Sequence, residues 1–223
     1  MPYPGAALTL AACMLILSTT ACGGQSRMSE PMNASSTPAD EPVPLRTLNP
    51  NPVHAYEIRV LIDDPPGPFA SISGVAQYDV QNPGCGDIDP FIGAIPPIRS
   101  NEVIELRKVS DREYAGVIYS DRILDEDYYG NGVCHWKLVE ARIILRGDAS
   151  PESTRFVADL PAEAIESQGE QRRYFWKGYY PRARMDGYVE LGGTDLDKLK
   201  SRVTDDQKDE FFSVVMTARG RGS

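Results

Sequence analysis

Two histidines, four cysteines and two tryptophans are a thin supply of reactive chemistry for 223 residues. With histidine confined to His54 and His135, a serine-hydrolase triad would have to use one of them. The chain also lacks the G-x-S-x-G elbow on which such a nucleophile sits. A zinc centre needs three or four clustered ligands, and two separated histidines do not offer them. No metal and no cofactor is expected, and the chain reads as non-enzymatic. Cations are scarce as well: 23 Lys and Arg face 32 Asp and Glu, a formal charge of −9. Phosphates are neutralised by Lys and Arg, so this balance argues against a nucleic-acid binder and against simple adhesion to an acidic membrane. No internal run approaches the roughly 20 apolar residues of a spanning helix. Paired carboxylates for glycoside cleavage carry no signal in so acidic a chain.

The one long apolar run is N-terminal, Ala6 to Ala21, the length of a signal-peptide core and short for a spanning helix. It lacks the usual basic residues before the core; none occurs until Arg27. Two cysteines follow small residues, in "LAAC" (Leu10–Cys13) and "TTAC" (Thr19–Cys22). The first has the better local pattern. Cleavage there, however, would leave Met14-Leu15-Ile16-Leu17 exposed at the mature start, whereas cleavage before Cys22 uses the whole run and releases polar "CGGQS". The run, ending in small residues and a cysteine, resembles the signal of bacterial lipoproteins. That resemblance implies a diacylglyceryl group on Cys22, and Gly23 after it implies delivery to the outer membrane, facing the periplasm. An ordinary secretory signal cut near Ala21 is the competing reading.

With Cys13 discarded and Cys22 lipidated, Cys85 and Cys134 remain, an even number suited to an oxidising compartment. A disulfide between them is expected, against the alternative of two buried free thiols. Three segments follow: a signal peptide 1–21, a lipidated tether 22–53 and one β-rich domain 54–223. From Gly23 to about Asn51 the chain is rich in Pro, Ser, Thr, Ala and Glu and has no aromatic residue. Such a composition cannot bury enough apolar surface to offset its ordering entropy.

Strand signals dominate from His54. "YEIRVLI" sets Tyr56, Ile58, Val60 and Ile62 on one face, "DDPPGP" forces a turn, and "FASISGVAQYDV" offers the alternating partner. "VIELRKV" and "EYAGVIYS" flank Asp111-Arg112 as a hairpin. In "HWKLVEARIILR" both alternating sets carry apolar residues, which implies a strand apolar on both faces or one crossing a sandwich edge. "FFSVVMTAR" reads as a closing strand, with a short polar helix in "DLDKLKSRVTDDQKDE" before it. The expected fold is mainly β, an antiparallel sandwich of immunoglobulin-like type or a partly open barrel, with a short C-terminal helical segment.

"DEDYYG.GVCHW", with "GPFASISG", "AQYDVQNPGC" and "KDEFFSVVMTA", resembles a group of gammaproteobacterial envelope lipoproteins. The resemblance spans most of residues 54 to 219; it implies the envelope address and carries no activity.

Two stretches are candidates for binding. In "DRILDEDYYGNGVCHW", Asp125 and Asp127 with turn carbonyls are the kind of oxygen donors Ca²⁺ takes. The EF-hand spacing fails, though, and a solvated loop stiffened by the disulfide is the plainer reading. "QRRYFWKGYYPRARMDGY" holds six of the chain's 19 aromatics (2 Trp, 11 Tyr, 6 Phe) and, from Arg172 to Arg184, five basic residues with no acid. Arg172, Arg173, Tyr174, Trp176, Tyr179, Tyr180 and Arg182 are the composition of an interface hot spot or of a sugar or head-group site. The alternative is a core strand with Tyr174 and Trp176 inward. The resulting expectation is a membrane-anchored, protein-binding β domain, in its sharper form an inhibitor or immunity protein against a cell-wall-active enzyme. The rival is an envelope glycan or lipid binder. A hydrolase using His135 with Asp127 is the remaining reading.

Overall fold

Alternation builds the first strand as expected. In β1 (Ala55–Asp63) Ile58, Val60 and Ile62 are buried while Arg59 and Leu61 face out. The same rule gives β2 (Ser71–Val80), which buries Ala76, Tyr78 and Val80. The computed structural model describes residues 44–183 and 189–222, all within the unit Pro42–Ser223. Its remaining strands are β3 (Arg99–Ile104), β4 (Arg107–Lys108), β5 (Glu113–Tyr119), β6 (Trp136–Arg146), β7 (Arg155–Pro161), β8 (Glu170–Trp176), β9 (Glu190–Gly192) and β10 (Phe211–Gly220). They form two five-stranded sheets, β4-β5-β1-β10-β8 and β3-β2-β6-β7-β9, antiparallel except for the β7–β9 pair. The protein is a mainly β sandwich with two short α-helices. Its strand order differs from the A-B-E-D and C-F-G sheets of an immunoglobulin domain: the last strand, β10, lies beside the first.

Three strand expectations change. β1 and β2 are not partners: β1 pairs β5 and β10, β2 pairs β3 and β6. The three prolines between them, Pro65, Pro66 and Pro68, remove ladder donors, and the turn carries the chain from one sheet to the other. "VIELRKV" is likewise divided, Val103-Ile104 ending β3 in one sheet and Arg107-Lys108 forming β4 in the other. Gly116 makes room for that crossing; a Cβ there would stand 2.7 Å from Ile104 and 3.0 Å from the Glu105 carbonyl oxygen. In β6 the doubly apolar pattern comes from a bulge, not from an edge crossing. Gln77 faces Glu140 and Tyr78 faces Leu138, so Val139 is an extra residue that shifts the phase. Leu138 is therefore buried on one side of it and Ala141, Ile143 and Leu145 on the other.

The sheets meet over an aromatic cluster. Phe156 of β7 touches Phe175 of β8 and Phe212 of β10 with ring centroids 5.6 and 5.2 Å apart, and Phe69 closes on Phe156 and Phe212. On that side the sandwich is bridged. Gly193 donates its N–H to Val157 of β7, and Thr194 exchanges backbone hydrogen bonds with Tyr174 of β8. The expected C-terminal helical segment is broken in two. Asp195 caps α2 (Leu196–Lys200; α1 is Ala162–Glu166) by accepting from the Lys198 N–H. Thr204 and Gln207 form a capping box that starts a separate 3₁₀ turn, Asp205–Glu210.

The expected signal peptide, Cys22 and the expected tether as far as residue 43 lie outside the described residues. The tether's expected end at residue 53 needs correction, because the chain is docked from Arg46 onward. Leu48 bridges Ile123, Asn49 donates its N–H to the Arg122 carbonyl, and Arg46 donates to the Glu102 carboxylate. A polar segment is held here by hydrogen bonds rather than by apolar burial. Among the described residues no helix is long and apolar enough to cross a membrane.

Candidate functional site

β8 follows the expected strand, and of the two facings open to its tryptophan the outward one holds. Phe175 is buried and Trp176 is 41% exposed, so the tryptophan is no core residue. The cations around it are spoken for. Arg172 donates to Asp63 at 3.2 Å and to the Ser213 hydroxyl at 2.8 Å. Arg173 donates from Nε and Nη2 to the two oxygens of Asp159 at 2.8 and 2.6 Å. Lys177 holds Asp64 and the Asp209 carbonyl. Arg182 reaches Asp148 at 3.0 Å and Glu152 at 3.5 Å, and the Ser150 N–H together with Arg182 keeps the Asp148 carboxyl below its ordinary range. The local excess of positive charge is thus cancelled by acids remote in sequence. Arg184 and Tyr188 lie outside the described residues.

The aromatics of the stretch part company. Tyr180 packs edge-on to Phe69 and donates its hydroxyl proton to the Pro68 carbonyl. Gly147 is required beside it, since a Cβ there would stand 2.6 Å from the Tyr180 ring. Trp176 and Tyr179 meet at right angles, centroids 4.9 Å apart, and the indole N–H donates to Glu210 at 3.2 Å. With Tyr174, Leu191 and Gln207 they line a cavity of about 450 Å³.

At the far end of β2, Cys85 and Cys134 stand at disulfide distance, Cα atoms 5.4 Å apart, and Trp136 packs against the pair. The acids beside them turn to separate donors. Asp125 accepts from the Trp136 N–H at 2.9 Å and pairs with His135 Nδ1 at 2.8 Å. Asp127 accepts from the Gly130 N–H at 2.7 Å, and Glu126 from the Thr47 hydroxyl at 2.7 Å. Among the described residues no three His, Cys, Asp or Glu side chains group to hold a metal. The histidine's carboxylate partner is Asp125, not Asp127, because the loop's turn commits Asp127 to Gly130.

Sequence reasoning missed the loop that this disulfide braces. Residues 86–98 leave the 3₁₀ turn at Pro83–Cys85, and Asn131 ties their base by donating to the Gly86 carbonyl and Asp87. At the tip Asp89 accepts from the N–H groups of Phe91 and Ile92 at 2.8 and 3.3 Å, and the Gly93 N–H donates back to the Asp89 carbonyl. That tight turn leaves Phe91 95% exposed, with Ile88 and Ile92 at 65%. The signal in the sequence was "IDPFIGAIPPI": apolar residues without strand or helix period, fenced by acids and prolines.

No protein-family model, curated protein or solved structure matches the chain, so the assignment of a role rests on these surfaces.

Proposed function

We propose that this is an exported lipoprotein, anchored through Cys22 to the outer membrane, whose periplasmic β domain binds a protein partner without catalysing a reaction. The observation that carries the reading is the braced loop tip: three large apolar side chains held in solvent on a turn whose backbone is already hydrogen-bonded. A preorganised apolar anchor loses little entropy on docking, which is how interface hot spots gain affinity. The acids around the tip define the partner's chemistry. From Gln81 to Ile98 there is no Lys or Arg, while Asp87 and Asp89 flank the apolar residues. Segments that enter anionic bilayers carry the opposite charge, so the fit is to a protein cleft, apolar at its floor and cationic at its rim. An inhibitor or immunity protein that plugs a cell-wall-active enzyme would need such a loop. The cysteine pair suits the same oxidising compartment.

The test is recovery of partners from cross-linked envelopes by the full-length protein and by Phe91→Asp. A partner retained by the first and lost by the second, with equal melting temperatures, supports the reading. Identical sets recovered by both would remove the loop from the function.

A further inference from the structure

The geometry points to a second, separate binding site, for a neutral oligosaccharide, on the outer face of β8 and the start of β10. This site lies at the opposite end of the sandwich from the Phe91 loop. Tyr180, four residues after Trp176, packs against Phe69 just before β2 begins, whereas the loop follows the end of β2; ten residues of strand separate those ends by roughly 33 Å.

Two hollows run together there beneath α2 and the 3₁₀ turn. One is about 450 Å³ and the other about 350 Å³, and they share Tyr174, Val203 and Phe211. Each falls within the roughly 300–1,000 Å³ of small-molecule sites. The floor is preset: the Trp176 indole is fixed by its hydrogen bond to Glu210, and Tyr179 stands perpendicular to it. A pyranose presents an apolar C–H face that lies on such a ring and a rim of hydroxyls that needs mixed donors and acceptors. The rim is supplied. The hydroxyls of Tyr174 and Tyr179 have no hydrogen-bond partner among the described residues. Gln207 accepts from Thr204 with its oxygen, leaving its amide N–H groups for a ligand, and Glu210 has a second oxygen beyond the one on the indole.

Charge excludes the neighbouring ligand classes. An anionic head group needs an excess of cations, and the charged side chains lining the two hollows balance, Arg172, Lys200 and Lys208 against Asp63, Asp64 and Glu210. A quaternary ammonium is taken by a compact aromatic box, whereas this trough is open and continues past Tyr174 into the second hollow. An extended neutral chain of sugars fits that shape.

The experiment titrates the full-length protein with chitotetraose and cellotetraose at millimolar concentration, following tryptophan fluorescence and heat. Saturable binding of at least one is expected, weakened about tenfold or more, one ring contact's worth, by Tyr179→Ala and Trp176→Ala. Tyr179→Phe, which keeps the ring, should weaken binding severalfold with the melting temperature unchanged, and Phe91→Asp should have no effect. Absence of saturable binding to either sugar overturns the proposal. So does binding that survives Tyr179→Ala unchanged, or that choline displaces.

Discussion

Arg173 and Arg172 are neighbours in sequence and opposites in circumstance. The Arg173 fork closes on both oxygens of Asp159 across the two sheets, with side chains 18% and 25% exposed. Arg172 and Asp63 are 37% and 56% exposed. A bidentate pair partly withdrawn from water leaves a costly orphan when one partner is removed, whereas an exposed pair is worth little. Arg173→Ala is therefore expected to lower stability by about 2–3 kcal/mol and Arg172→Ala by less than about 1 kcal/mol. Arg173→Lys should fall between, because it keeps the charge and loses the fork. Urea unfolding at constant m-value measures all three, and equal small losses for both alanine variants would contradict the contrast. Residue type made these arginines look like a ligand-facing patch. Their partners, Asp63 and Asp159, come from other strands, and no local pattern announces a pairing made by topology.

The loop 86–98 and its disulfide form the element on which function is argued. Cys85 and Cys134 are separated by 49 residues, so on the chain-entropy account their cross-link stabilises the fold by about 4 kcal/mol. Replacing both with alanine should cost that amount in a denaturation curve. It should also speed hydrogen exchange in residues 86–98 and 127–134 while the central strands β1, β2, β6 and β10 stay protected. Uniform loss of protection across the sheets would mean the cross-link braces the core rather than the loop. β1 and β2 were legible because period two records which face is buried, and β10, buried at every position from Phe212 to Met216, because a short continuous apolar run marks a strand buried on both faces. The pairing of those strands was not, since β1 finds β10 more than 150 residues away and a prolyl turn says only that the chain reverses, not which sheet it joins. The bulge at Val139 scrambled the phase of β6, and the apolar tip of the loop had no period to read.

At the scale of the whole molecule, two glutamates on the same sheet oppose each other in their response to pH. Burial resists ionisation of Glu102, but hydrogen bonds from Arg46 and Ser100 outweigh it and hold its carboxyl below the ordinary glutamate range. Its stabilising contribution is complete above the unfolded-state value near 4.5 and is lost as the pH falls through the lower folded value. Glu140 is shifted the other way: burial, reinforced by Asp159, raises its carboxyl above 4.5 despite Arg142. The fold therefore favours protonated Glu140, a contribution present below 4.5 and lost as the pH rises through the higher folded value. Glu102→Gln should weaken the protein most at neutral pH and progressively less in acid, where the wild-type carboxylate is itself protonated. Glu140→Gln should become steadily more favourable, relative to wild type, from acid to neutral pH. Because Arg46 belongs to the segment that docks ahead of β1, the first effect also reports on that segment's grip. Breaking it with Arg46→Ala should raise the Glu102 carboxyl and flatten the acid limb in the same way. Unfolding midpoints of the wild type and the three variants across about pH 2–7, the span over which carboxylates titrate, give the signs directly; parallel curves for all four proteins would refute the assignment.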